Sequence, residues 1–307
     1  GQSNPTYLVE TNINNFVLRR KPPGKLLKSA HAVDRECRVM TALHDTDVPV
    51  PKTFGYCDDE TVIGTSFFIM DHVIGNIYWE LLLPGCDPNQ RREIYLSMND
   101  TIAKLHNVDF DKVNLADYGK HENYMDRQIH RWTKQYKDSE TQMIPEINEL
   151  IEWLPKNIPS DQETSIVHGD FRLDNMIFDP ITHEVKAILD WELSTLGNPI
   201  ADFTYHMMSW RLPAGAKGLG MMGSDLKSLN IPSENEYAEL YYKKTGREKI
   251  DNWDFYMAYN IFRLAGIAQG IVGRVRDGTA SSSEAKNYEA FVPILGKLGW
   301  SIVEGIK

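Results

Sequence analysis

Cysteine is scarce in this sequence. Only Cys37, Cys57 and Cys86 occur among 307 residues, an odd number with no C-x-x-C pair. That pattern excludes a disulfide framework and offers no zinc-ligand spacing, so a reducing, cytoplasmic setting is expected. Long apolar runs are missing too: none approaches the ~20 residues needed to cross a bilayer. The opening GQSNPTYLVE has no basic segment followed by an apolar core, so neither a membrane partner nor export is expected. Basic residues are outnumbered 33 to 43, giving a formal charge of −10. An acidic balance of this size argues against a nucleic-acid partner, though it leaves room for a local basic pocket.

What the chain does contain is a change of pattern along its length. Short β-like runs come first: TYLVET, NNFVLRR, KTFGYCDD and TSFFIMDHV, with a turn at KPPGK and a helical stretch from about Ala30 to Leu43. The acidic DDETVIG reads as a turn between the last two strands. Beyond Gly75 long helical patterns take over, among them RREIYLSMNDTIAKLHNV, YMDRQIHRWTKQY and EINELIEWLPKN, and more helices follow from about Glu234. The expected fold class is α+β, with a small β-rich lobe over residues 1–73 and a large, mainly helical lobe over 74–307. A cleft between such lobes is a common place for a small-molecule site.

The densest polar segment is SIVHGDFRLDNMIFD, residues 165–179, followed by the strand and turn EVKAILDW. SIV, MIFD and EVKAIL read as three short strands, so Asp170 and Asn175 lie in a loop and Asp190 at a strand end beside it. Two carboxylates and an amide oxygen are the hard ligands that Mg²⁺ takes together with phosphate oxygens. The spacing His168, Asp170, Asn175 and then Asp190 is that of a kinase catalytic loop and its metal-binding aspartate. Asp170 is the expected catalytic residue toward a substrate hydroxyl, with Arg172 a second candidate. Asn175 and Asp190 are the expected metal ligands, while His168 is expected to hold the loop. Asp202 is expected to brace that loop or cap the helix at ADFTYH.

The first lobe offers matching parts. Arg19 in NFVLRR stands where kinases place a phosphate-contacting lysine, and Glu36 on the next helix is its expected partner. Gly1, Ser3 and Asn4 fall in a turn suited to covering phosphates, and the backbone of Met70, Asp71, His72 and Val73 is expected to read an adenine edge. GLGMMG, Gly218–Gly223, matches G-x-G-x-x-G, but no strand precedes it and a loop is expected there.

In their order, HGDFRLDN, ILDWELSTLGNPIADF and LHNVDF resemble the aminoglycoside phosphotransferase-like (APH) kinase family. GQSNPTYLV, VLRRKPPGKLLKSAHAVDRE and RQIHRWTKQY resemble most closely its members found alone in bacteria or fused to acyl-CoA dehydrogenases. The resemblance implies a two-lobed protein-kinase-like fold, ATP and Mg²⁺ as cofactors, and a small-molecule hydroxyl as phosphate acceptor. The subfamily implies a hydroxy acid or hydroxyacyl-CoA; an aminoglycoside acceptor, or a nucleotide-binding module without transfer, are the alternatives. Two departures stand out: arginine replaces lysine at position 19, and the strand that normally precedes the phosphate turn is expected to be missing.

Overall fold

The computed structural model describes residues 4–22, 32–160, 163–215, 218–249, 251–278 and 288–306. Gly1 and Ser3 lie outside the described residues. Two compact units are present: Gly1–Gly119, Ser165–Leu196 and Gly223–Glu248 form one, and Lys120–Thr164, Gly197–Met222 and Lys249–Lys307 the other.

The first unit begins with a four-stranded antiparallel sheet of β1 (Thr6–Glu10), β2 (Asn15–Arg20), β3 (Thr53–Cys57) and β4 (Phe67–Asp71), in the order β1-β2-β4-β3. Its register sets Arg19 opposite Thr6 on one side and Phe68 on the other. Between β2 and β3 runs α1 (Val33–Leu43), which buries Val33, Glu36, Cys37, Val39, Met40 and Leu43. Five of those six are ordinary apolar-stripe residues at helical spacing. Glu36 is the exception, and it points toward the site described below. The acidic segment between β3 and β4 is a single helical turn, α2 (Glu60–Ile63), where a plain turn was expected. The Asp59 carboxylate accepts from the Thr61 amide and nucleates that turn.

Downstream in the same unit, α3 (Pro88–His106) starts from a complete capping box, Asp87 with Gln90, and a proline in its first turn. It buries Asn99, whose amide donates to the Tyr237 carbonyl at 2.8 Å, and His106, 2.7 Å from the Tyr241 hydroxyl. Both tyrosines belong to α7 (Glu234–Thr245). The polar loop is framed by β5 (Ser165–Val167), which pairs with β8 (Thr195–Gly197), and by the hairpin β6 (Met176–Phe178) and β7 (Val185–Ile188). Asn76, five residues past β4, forms an isolated bridge with Phe178 through reciprocal 2.8 Å hydrogen bonds.

The second unit is helical: α4 (Tyr124–Ser139), α5 (Pro145–Trp153), α6 (Pro199–Met207), α8 (Trp253–Arg276) and α9 (Phe291–Ile306). α8 packs on α4, α6 and α9, and 17 of its 24 residues are buried, so it is the core of this unit. The cap of α6 is Asn198, which accepts from Ile200 and Ala201 at 2.9 Å; the expected cap, Asp202, instead lies buried in the first turn. The GLGMMG segment forms no strand: Met221 is buried, and Met222 donates to the Leu212 carbonyl at 2.9 Å. No described helix is long and apolar enough to cross a membrane.

Gly75 is the tightest point of the Asn76 bridge. A Cβ there would sit 2.3 Å from the Phe178 carbonyl oxygen and 2.6 Å from Ile177 Cγ2. Gly75→Ala is therefore expected to destabilise the protein by about 1–3 kcal/mol, the usual cost of overpacking. Gly305→Ala, where nothing lies within 4 Å, should not; urea denaturation of the two variants checks the contrast.

Candidate active site

All described residues of the expected site lie in the first unit. The loop begins at Gly169, with φ +82°, where an added Cβ would stand 2.7 Å from the Leu193 carbonyl oxygen; both facts require glycine. Next to it His168 is fully buried. Its Nδ1 accepts from the Asp170 amide at 3.2 Å, so Nε2 carries the proton and donates to the Leu189 carbonyl at 3.0 Å. The ring also packs at a tilt against Trp191, with centroids 4.7 Å apart. His168 thus ties the start of the loop to the residue before Asp190. A second tie joins the other end, because the Leu189 amide donates to the Asn175 carbonyl at 2.8 Å.

Asn175 holds Asp170 directly. Its Nδ2 donates to the Asp170 carbonyl at 2.9 Å and to the carboxylate Oδ2 at 3.1 Å. Both bonds use the nitrogen, which leaves the amide oxygen able to accept a further partner. Asp190 adopts a left-handed conformation, φ +65°, which aspartate tolerates better than most residues. Its side chain is 28% exposed, open enough to accept a further ligand. Among the described residues no group of three or more His, Cys, Asp or Glu could hold a metal alone. An amide oxygen and one carboxylate nevertheless fit Mg²⁺, which commonly takes its remaining ligands from phosphate and water.

Arg172 does not stand free beside Asp170. Its guanidinium is engaged by both carboxylate oxygens of Asp174, with Nε at 3.0 Å from Oδ1, and lies 3.9 Å from the Asp170 carboxylate. Asp174 was not singled out in the sequence; the i, i+2 pairing of opposite charges was its only signal.

The sheet contributes one arginine with two carboxylate partners. Arg19 is 6% exposed; its Nε lies 2.8 Å from Glu36 Oε2 and its Nη2 2.5 Å from Asp190 Oδ1. Nη1 donates to the Thr6 hydroxyl at 3.3 Å. Burial opposes the guanidinium charge, but Glu36 and Asp190 together hold it above its ordinary value. Glu36 is 1% exposed and receives a 2.7 Å hydrogen bond from the Asn4 amide. Burial pushes its carboxyl up to about 7 against the pull of Arg19. The helix that carries Glu36 is pinned by Arg35, whose guanidinium donates to the carbonyls of Tyr118 at 2.6 Å and Ser194 at 3.3 Å and stacks on the Tyr118 ring. Arg35 was also missed in the sequence, where it reads as one more surface charge.

Of the four residues expected to read a base, Met70 is buried within β4 between Val17 and Thr53, and Asp71 ends that strand with its amide donating to the Lys52 carbonyl at 2.9 Å. His72 and Val73 follow outside any regular element, and their backbone groups make no hydrogen bond among the described residues.

A sequence profile of the phosphotransferase enzyme family (APH) matches residues 1–239. A crystal structure from Ralstonia eutropha, provisionally named an aminoglycoside phosphotransferase, is 48% identical with a TM-score of 0.93, over 99% of this chain and 91% of that one. Acyl-CoA dehydrogenase family member 10 of Mus musculus is 45% identical over 98% of this chain and 28% of its own length. Family member 11 of Homo sapiens is 41% identical over 97% of this chain and 38% of its own. The chain therefore spans about a third of the length of these curated relatives. A ternary complex of a thermostable APH(4)-Ia mutant with AMP-PNP and hygromycin B matches over 98% of this chain and 91% of that one, at 12% identity and a TM-score of 0.63; this shows the fold alone.

The raised carboxyl of Glu36 gives a pH signature. Between the ordinary carboxylate range and about 7, the native state holds a proton that the unfolded chain has lost, so this group's contribution to stability falls as pH rises through that window. Glu36→Gln should flatten the slope of unfolding free energy between pH 5 and pH 7 (roughly the window set by the two states), read by urea denaturation at each pH. The fold has the protein-kinase-like architecture of these neighbours, and the chain belongs to the APH phosphotransferase enzyme family.

Proposed function

We propose that the chain is an ATP- and Mg²⁺-dependent kinase, working in the cytoplasm, that moves the γ-phosphoryl group to a hydroxyl of a small molecule. Residues 1–73 serve as the nucleotide lobe and 74–307 as the catalytic and acceptor lobe. The observation that carries this reading is the convergence within one compact unit of two groups, Asp170 hydrogen-bonded to Asn175 and Arg19 ion-paired to Glu36 and Asp190, tied together by the bond from the Leu189 amide to the Asn175 carbonyl.

Asp170 accepts the proton of the acceptor hydroxyl, its carboxylate aimed by the Asn175 amide. Asn175 Oδ1 and the Asp190 carboxylate would hold Mg²⁺, which when bound neutralises charge on the nucleotide phosphates. Arg19 presents its guanidinium to those phosphates from the sheet side, positioned by Glu36. Arg172, held by Asp174, adds positive charge beside Asp170. The unengaged backbone of His72 and Val73 is available to the base edge, and Gly1, Ser3 and Asn4 are proposed to contact the phosphates.

For the acceptor we propose a hydroxy acid or a hydroxyacyl-CoA. Support comes from the relatives of this chain that carry the name acyl-CoA dehydrogenase, at 41–45% identity. Nucleotide turnover should be measured with hydroxy acids, hydroxyacyl-CoAs and aminoglycosides as separate arms. With the productive acceptor, Asp170→Ala is expected to keep nucleotide affinity and lower the transfer rate by about 10²–10⁴-fold, the usual contribution of a positioned base. Full activity in that variant would remove Asp170 from the mechanism.

A further inference from the structure

In the second unit α9 carries more apolar surface than its packing uses. One face is buried through Phe291, Val292, Leu295, Gly296, Gly299 and Val303. The glycines let α5 approach closely: a Cβ at Gly296 would stand 3.1 Å from Ile147, and one at Gly299 2.9 Å from Leu150. A surface helix ordinarily turns charged and polar residues outward, yet only Lys297 and Glu304 of these 16 residues are charged. Ile294, Leu298, Ile302 and Ile306 instead recur at i, i+4 spacing and form a continuous ridge along the helix. Ile294 and Ile306 are each 47% exposed, and Leu298 and Ile302 are half-buried.

Lys297 and Glu304 are both exposed, and neither makes an ion pair among the described residues. Seven residues separate them, close to two helical turns and about 10 Å of rise, so they share a side of the helix without reaching each other. The pattern becomes complementary to itself when a second α9 lies antiparallel against the first. Lys297 of each copy then faces Glu304 of the other, Ile294 faces Ile306, and Leu298 faces Ile302. The charged pair is centred midway between Trp300 and Ser301 and the two apolar pairs on Trp300, so one two-fold axis serves all three. Ser301 and Gly305 flank the ridge, and a Cβ at Gly305 would meet nothing within 4 Å. That leaves a groove beside the ridge, the arrangement in which the i±4 ridges of two helices interdigitate.

We propose that α9 is a self-association surface and that two copies of this chain pair through it, antiparallel about a two-fold axis near Trp300 and Ser301. Such a contact is isologous, the commonest closed arrangement of identical chains. It requires apolar residues mirrored about one point and charges inverted about the same point, which is the pattern of α9; an unrelated partner would require neither. The surface belongs to a different compact unit from Asp170 and Asp190 and is independent of the kinase reading above. A single helix pair is a small interface, so the dissociation constant is expected at roughly 1–100 μM.

The test is sedimentation equilibrium of the full chain in about 50 mM salt, where surface charges are only partly screened. A species of twice the chain's mass should grow with concentration. Lys297→Glu and Glu304→Lys, each alone, set like charges together at both symmetry-related contacts and should weaken association roughly tenfold or more. The double variant Lys297→Glu/Glu304→Lys restores opposite signs and should recover the wild-type constant. Ile294→Asp, in the ridge, should weaken association without touching either charge. Circular dichroism confirms that all four variants fold. A chain that stays monomeric up to about 0.5 mM, or a dimer that none of the variants weakens, overturns the inference. Losses in the single charge variants that the double variant fails to restore also overturn it, since they would set a different segment against α9.

Discussion

A single guanidinium joins the sheet, the first helix and the turn at Asp190. Arg19 reaches Glu36 with Nε, Asp190 with Nη2 and Thr6 with Nη1, and it does so while almost fully buried. An unpaired charge there would be costly, and the two carboxylates supply the buried guanidinium with its counter-charge. The planar fork makes this possible. A lysine carries one point of charge on a flexible stem and could not span three partners in this way. The arginine at position 19 thus joins β2 to α1 and to the turn at Asp190, and with both carboxylates ionised the trio is net negative, which would suit a cation at the proposed site.

The rest of the unit keeps that trio in place. Arg35 clips α1 to the carbonyls of Tyr118 and Ser194, one on each side of the site in sequence. The His168 ring and the Asn175 carbonyl fix Leu189 from two directions, so the turn that presents Asp190 is set by backbone bonds and does not depend on Asp190 itself. Asn175 then has a different use for each end of its amide: its nitrogen holds Asp170, and its oxygen is the end proposed as a cation ligand. Mutating Asn175 to aspartate would remove the nitrogen donor that holds Asp170.

Much of the frame was legible in the sequence because it rests on local rules. The strands β1, β2, β3 and β4 follow short β-branched and aromatic runs, and α1 and α4 show apolar residues at helical spacing. The short helix Glu60–Ile63 was not legible, since four residues carry no period and only the Asp59 cap marks it. Of the two roles expected for Asp202, bracing the loop or capping the helix, the cap falls to Asn198 instead: both are good caps, and Pro199 at the first helical position favours the residue before it. Within the site, the loop spacing located Asp170, Asn175 and Asp190, and the strand face pointed Arg19 toward Glu36. The bond from Arg19 to Asp190 spans 171 residues, a separation at which pattern carries no information and only tertiary packing decides. Asp174 and Arg35 escaped notice because charged residues on short turns and helix surfaces are common, and their partners here are a neighbouring arginine and two distant carbonyls.

The central claim is that Asp190, held by Arg19, is the cation-binding carboxylate of a nucleotide site. Thermal unfolding of the wild-type chain and of Asp190→Ala, each with ATP alone and with ATP and Mg²⁺, tests it most directly, because a ligand bound to the native state raises the midpoint by mass action. The account predicts a Mg²⁺-dependent rise in the wild type that is lost in the variant. An equal rise in both proteins, or a wild-type response indifferent to Mg²⁺, would contradict it.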